Sequence, residues 1–222
     1  MKPRLALFDL DHTLLAGDSD VLWCDFLVEE GVLPRAAFQQ RNTEMEAGYQ
    51  AGTVDAAAFA DFYTGTLAGR SPAQWEPLRQ RFLREAIVPR IPRAALALVR
   101  EHLAAQDLVV MTTATNRFIT ELTAAHFGIA HLLATEPALH DGVFTGHTTG
   151  TLNMRAGKVA RLRAFLSGRG ELLEGFHSTA YSDSINDLPL LEAVETPVAV
   201  NPDARLAAIA AERGWRVLGL RG

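Results

Sequence analysis

The chain has 222 residues, 48% of them hydrophobic, and a formal charge of −5. That length can bury a large core and leaves room for an inserted module, while the composition excludes intrinsic disorder and the acidic balance argues against nonspecific nucleic-acid binding. No apolar run reaches the length of a membrane span, the N-terminal apolar run is too short for a signal peptide, and a single cysteine, Cys24, cannot form an internal disulfide, which fits a reducing cytoplasm.

In chain order, the apolar run 5–8 predicts a short buried strand. Helical spacing of apolar residues follows over 21–30, 35–47, 54–67 and 73–86. Glycine and proline break this pattern at 31–34, 51–53 and 69–72, and 88–92 reads as a return linker. Cys24 falls in the first of these helices, as a buried position rather than a nucleophile. Beyond the linker, strands are expected at 108–112, 131–134, 176–181, 197–200 and 215–218. Helices are expected at 94–105, 118–127, 155–166, 188–192 and 204–213, and a hairpin over 138–150. Alternating strand and helix implies an α/β fold, a Rossmann-like doubly wound parallel sheet with helices on both faces. Its unusual feature is a helical cap module, 18–87, inserted after the first strand into a core of 1–17 and 88–222. Suspended above the sheet's crevice, such a module can exclude water and select substrate.

Asp9 and Asp11 follow the first strand directly. Two carboxylates about 4 Å apart repel by roughly 4 kcal/mol at an effective dielectric of 20. Such a pair shares a proton or binds a cation. The alternative is a solvated or helix-capping loop. A second acidic cluster, Asp183, Asn186 and Asp187, follows the strand ending at Tyr181, and the strand at 108–112 ends in the hydroxyls of Thr112 and Thr113. Of 21 basic residues only Lys2 and Lys158 are lysine, and Lys158 lies between the hydroxyls and the second acidic cluster. A compact ammonium can approach a phosphoryl oxygen and a carboxylate together where a planar guanidinium is too large. In parallel sheets ligands bind beyond the carboxyl ends of the strands, so the topology brings these distant motifs to one crevice.

The order Asp-x-Asp-x-Thr, Thr, Lys, Asp-Ser-x-x-Asp over the whole chain resembles the haloacid dehalogenase superfamily of phosphohydrolases. Within it the chain looks like the branch (subfamily IB) containing phosphoserine phosphatase. The phrases Ala16-Gly17-Asp18-Ser19-Asp20 and Val200-Asn201-Pro202-Asp203 are similar to those of its uncharacterised or histidinol-phosphate-cleaving members. The resemblance implies Asp9 as nucleophile, forming a phospho-aspartate, and Asp11 as general acid and then base. It implies Mg²⁺ held by Asp9, the Asp11 main-chain carbonyl and Asp183, with Thr113 and Lys158 on the phosphoryl oxygens. Thr112 offers a second hydroxyl; Thr113 is favoured because the preceding position continues the apolar strand in this family. Asn186 and Asp187 fall behind the metal or on the phosphate side, and Thr13 braces the first loop. Asp18 stands where phosphoserine phosphatases place a glutamate that reads the substrate amine, or it caps the first helix. Their carboxylate-binding arginine segment has no counterpart among Arg41, Arg70, Arg79, Arg81 and Arg84. The expected partner is therefore a small phosphorylated metabolite, histidinol phosphate ahead of phosphoserine, with no nucleic acid or membrane partner and the oligomeric state left open.

Other chemistries fit less well. The chain has no ATP-type phosphate loop around Lys158, no Gly-x-Ser-x-Gly element and no zinc spacing among its seven histidines. His12, inside the first motif, either packs the loop or touches substrate. Trp23, Phe26, Phe59, Phe62 and Tyr63 are expected to fill the helical module, with one or two facing substrate. A phosphotransferase or mutase on the same fold, and a noncatalytic phosphometabolite-binding protein, remain as alternatives.

Overall fold

The computed structural model describes residues 2–51, 53 and 55–220. The expected break at Gly52 and helix start at Val54 lie outside the described residues. Among the described residues seven strands form one sheet in the order β4-β3-β2-β1-β5-β6-β7. They are β1 (Arg4–Phe8), β2 (Leu108–Asn116), β3 (His131–His140), β4 (Val143–Thr149), β5 (His177–Ser182), β6 (Thr196–Val200) and β7 (Arg216–Leu218). All neighbours pair in parallel except β3 with β4, so the expected α/β architecture is present.

Register explains the crevice. Phe8 sits opposite Met111 on β2 and opposite Tyr181 on β5. The three central strands therefore reach the same level together. Asp9, Thr112–Thr113 and Ser182–Asp183 emerge side by side. Alternation along β1 sends Ala6 and Phe8 to one face of the sheet and Leu5 and Leu7 to the other. The second face packs helices α7 (Ala156–Gly168), α8 (Leu188–Ala193) and α9 (Ala204–Arg213).

The first face carries α5 (Arg93–Ala104) and α6 (Arg117–Phe127), and its apolar cluster runs on into the helices between β1 and α5. These are α1 (Ser19–Glu29), α2 (Arg35–Ala51), α3 (Ala56–Thr64) and α4 (Pro72–Phe82). Trp23, Trp75 and Phe82 are fully buried there. Asp55 caps α3, and Ser71 with Gln74 forms a capping box on α4. Cys24 is buried in α1, as expected.

Several elements differ from the expected pattern. The stretch 88–92, expected as a linker, begins as a helical turn: Leu83–Ile87 is a π turn and Val88–Arg90 a 3₁₀ turn. Pro89 suits a first-turn position, and the extended φ/ψ at Ile91 before Pro92 ends it. β2 runs to Asn116 and β3 to His140, beyond the apolar residues, because their polar ends are satisfied by side-chain hydrogen bonds or by pairing with β4. The hairpin turn is Asp141-Gly142, both at positive φ, which suits the twist of a tight β-turn. Among the described residues no helix is long and apolar enough to cross a membrane.

Candidate active site

The loop after β1 folds tightly, with the amides of Thr13, Leu14 and Leu15 all donating to the Leu10 carbonyl. This directs the Thr13 hydroxyl between two carboxylates, 3.0 Å from Asp9 Oδ2 and 3.0 Å from Asp183 Oδ1. Thr13 also accepts from the Asp183 amide, so its bracing role is direct. Asp183 is held from behind as well. Its carbonyl accepts from the Asp203 amide, and Asp203 Oδ2 accepts from the Ile185 amide while Oδ1 caps α9. That is the structural use of the Val200–Asp203 phrase.

Lys158 rises from the first turn of α7. Gly157 permits the close packing of that turn, since a Cβ there would lie 2.0 Å from the Leu152 carbonyl oxygen. The Lys158 Nζ donates to Asp9 Oδ1 and to Asp187 Oδ2, each at 2.7 Å. Ser182 Oγ donates to the same Asp187 oxygen at 2.8 Å. Only 2% of Lys158 is exposed. Burial alone lowers an ammonium's pKa, but the carboxylates of Asp187 and Asp9 outweigh it and hold Lys158 above its ordinary range. Burial also pushes Asp9 well above the usual carboxylate range; Lys158 opposes this and Asp187, Asp183 and Asp11 add to it. Asp183 is pushed up to about 6, again by burial first, against the Thr13 hydrogen bond and His12.

Asp11 is held by three donors. The Ser19 amide reaches Oδ1 at 2.7 Å, and the hydroxyls of Thr113 and Thr115 reach Oδ2 at 3.2 and 3.0 Å. Asp18 Oδ1 accepts from the amides of Asp20 and Val21, the N-cap of α1. Seven of the eight expected site residues line one cavity of about 250 Å³: Asp9, Asp11, Asp18, Lys158, Asp183, Asn186 and Asp187. Thr113 does not; it is fully buried beneath the wall, its hydroxyl bonded to Asp11 and to the Thr115 amide, and Ala114 and Thr115 form the surface there. His12 lies on the wall at a positive φ of 56°.

Sequence reasoning missed five contributors. Thr115 and Ser19 carry no motif of their own. Asn153 Nδ2 reaches Thr112 Oγ1 and the carbonyls of Thr113 and Leu133, tying the loop before α7 to β2 and β3. Arg155 lines the cavity with φ 51° and ψ −129°, a backbone state costing a non-glycine residue about 1–3 kcal/mol and concentrated at functional sites. Asp20 ends the Ala16–Asp20 phrase and meets Thr115 Oγ1 at 3.0 Å, a contact that the phrase does not announce. The module contributes Phe59 to the wall, one of the aromatics expected to face inward.

The donor set suits a hard cation. Among the described residues no three Asp, Glu, His or Cys side chains converge as a ready-made metal cage. Asp9 and Asp183 instead bracket one hydroxyl, whose single proton cannot serve both. Two carboxylates leave coordination places for water and phosphate, the habit of Mg²⁺ rather than of a metal bound by protein alone.

A model of the haloacid dehalogenase-like hydrolase family matches residues 6–192. The histidinol-phosphatase of Neisseria meningitidis serogroup C is 39% identical over 98% of this chain and 99% of its own length. A solved protein of unknown function from Bordetella pertussis Tohama I is 45% identical, with a TM-score of 0.95 and complete coverage of both chains. A phospho-aspartyl intermediate analogue of phosphoserine phosphatase has the same fold, with a TM-score of 0.69 at 16% identity over 100% of this chain and 95% of its own. With its acidic crevice, buried lysine and parallel sheet, this chain belongs to the haloacid dehalogenase-like hydrolases and is a phosphatase of that family.

Proposed function

We propose that this phosphatase hydrolyses a small phosphomonoester through a phospho-aspartate on Asp9, with Mg²⁺ as cofactor. The observation that carries the reading is the single cavity holding Asp9, Asp11, Asp183 and Lys158, in which Lys158 pairs with Asp9 at 2.7 Å. Asp9 attacks phosphorus, and the ester P–O bond breaks as the departing alcohol takes a proton from Asp11. A water then attacks the phosphoryl group, loses its proton to Asp11, and inorganic phosphate and free Asp9 result. Acid–base work of this kind contributes about 10²–10⁴-fold. Asp9, the Asp11 carbonyl and Asp183 would hold Mg²⁺, which when bound supplies positive charge against the phosphoryl oxygens. Lys158, paired with Asp9 Oδ1, adds its own charge, and Thr113 would reach the phosphoryl group by turning its hydroxyl away from Asp11. Residues 18–87 act as a cap over a catalytic core of 1–17 and 88–222, and the buried lone Cys24 accords with a reducing cytoplasm.

The substrate is a phosphorylated alcohol carrying an amine, with histidinol phosphate first. Support comes from the likeness to a histidinol-phosphatase over the full length and from Asp18 on the cavity wall. Capping with Oδ1 does not preclude pairing with a substrate ammonium. Phosphoserine is the second reading, because Arg155 on the wall offers a cation for a substrate carboxylate. The test is hydrolysis of histidinol phosphate, phosphoserine and an aryl phosphate, with Mg²⁺ and after exhaustive chelation, with and without an added alcohol acceptor. The expected result is Mg²⁺-dependent phosphate release, fastest from histidinol phosphate. Activity surviving chelation overturns the cofactor, and transfer to the acceptor in place of release overturns hydrolysis.

A further inference from the structure

We propose that Asp20 is a positioning residue for the acid–base step: through Thr115 it aims the Asp11 carboxyl at the leaving group. The inference rests on the reading of Asp11 as the acid–base group. The Thr115 hydroxyl lies 3.0 Å from Asp11 Oδ2, 3.0 Å from Asp20 Oδ2 and 3.2 Å from the Ser19 hydroxyl. A threonine hydroxyl has one proton and two acceptor lone pairs, so it cannot donate to two carboxylates at once. All three contacts are made together only if one of the two carboxyls brings its own proton, and the surroundings of Asp20 place it there. Ser19 and Asp20 then donate into the two lone pairs, and Thr115 spends its proton on Asp11.

A second observation agrees. Asp20 Oδ1 is buried without a hydrogen-bond partner. A buried ionised oxygen in that position is very costly, while the carbonyl oxygen of a neutral carboxyl costs far less. Burial, with Asp18 and Asp11 adding to it against the Thr115 hydrogen bond, raises Asp20 well above the usual carboxylate range, in the same sense. Asp20 lies on α1 and Thr115 on β2, so the contact also ties the first helix of the cap to the core strand that flanks the nucleophile. Asp20 lies on the same cavity wall as Asp11 and Asp18, and in this role it acts through its contact with Thr115.

The test compares Asp20→Asn, Asp20→Ala and Thr115→Val, with Asp11→Asn as reference, on an alkyl phosphate and on p-nitrophenyl phosphate in Mg²⁺. The kcat/KM value covers the steps up to phosphoenzyme formation, where a good leaving group needs little acid assistance. Asparagine offers a neutral donor in place of the Asp20 O–H, so Asp20→Asn should stay within about threefold of wild type. Asp20→Ala and Thr115→Val should lose about 10- to 100-fold on the alkyl phosphate, the size of a misplacement of about 1 Å, and much less on p-nitrophenyl phosphate. Melting temperatures confirm folding, and if Asp20→Ala does not fold, Thr115→Val carries the comparison. Asp20→Asn as impaired as Asp20→Ala, or equal loss on both substrates, overturns the inference. If Asp11→Asn itself shows no leaving-group dependence, the reading of Asp11 as the acid fails first.

Discussion

The crevice and the helical module formed by α1 to α4 are built from opposite materials. The crevice buries charge: Asp9, Lys158 and Asp187 are at most 6% exposed, with Asp183 and Asp11 beside them. The module buries aromatic surface. Trp23 meets Trp75 at 5.7 Å and Phe82 at 5.1 Å, both edge-on. Both indole N–H groups are satisfied, by Thr66 Oγ1 and the Leu67 carbonyl. Edge-on pairs of this kind add about 0.5–1.5 kcal/mol each beyond the area they bury. In the crevice, desolvation of paired ions cancels most of their attraction. The crevice thus rests on paired charge and the module on aromatic packing, and substitutions in the two should separate activity from stability differently.

The largest effect should come from Asp9→Asn: a fall in kcat of about 10⁴-fold or more, from loss of the nucleophile. Unfolding free energy should change by only about 1 kcal/mol, because the Lys158 ammonium keeps Asp187. Denaturant unfolding beside initial rates measures both; a large stability loss with retained turnover would invert the comparison. Lys158→Met probes the electrostatics from the other side. It leaves Asp9 and Asp187 without their shared cation and should destabilise by about 3–5 kcal/mol as well as abolish turnover. Lys158→Arg should keep more of the stability yet lose about 10²-fold in kcat/KM, since the planar guanidinium does not fit between the two carboxylates. Near-normal kinetics in that variant would remove Lys158 from the phosphate site.

Trp23→Ala should cost about 3–5 kcal/mol, the usual range for emptying a buried aromatic site, while kcat measured well below the new melting temperature falls less than tenfold. The smallest effect concerns the seam between module and sheet. Asp61 on α3 accepts from His147 Nδ1, the Thr148 amide and the Thr148 hydroxyl on β4. Although burial works the other way, these hydrogen bonds hold its carboxyl below the ordinary value of 3.8. Because the folded pKa is the lower one, the contribution is complete above the unfolded value and fades as pH falls through the folded value. Asp61→Ala should therefore cost about 1 kcal/mol at neutral pH. The gap to wild type should close below the ordinary carboxylate pKa, and a gap that widens in acid would reverse the sign.

How legible each region was follows the same division. That Asp9, Asp11, Asp183 and Asp187 line one cavity is legible in the sequence, because strand ends in a parallel sheet converge whatever the intervening sequence. Asp20 stands in a recognisable run, Ala16–Asp20, but its contact is with Thr115, 95 positions away in sequence. The strained φ at Arg155 has no sequence signal in a non-glycine residue. Thr113 lies near the end of β2, as the apolar run before it implies, but the turn of its hydroxyl toward Asp11 leaves no mark in the sequence. In the module, the aromatic positions were expected as core; Trp23, Phe26 and Tyr63 are buried, whereas Phe59 and Phe62 are partly exposed, because helical periodicity does not say which face meets the cavity.

The central claim, that Asp9 carries the phosphoryl group, is tested most directly by trapping the intermediate. The enzyme is mixed with radiolabelled substrate and Mg²⁺, quenched in acid within a single turnover, digested and mapped by mass spectrometry. A hydroxylamine-labile phosphate on the peptide containing Asp9, absent from Asp9→Asn, is the predicted result. A single turnover that leaves no label on the wild-type enzyme, or label that persists in Asp9→Asn, would contradict it.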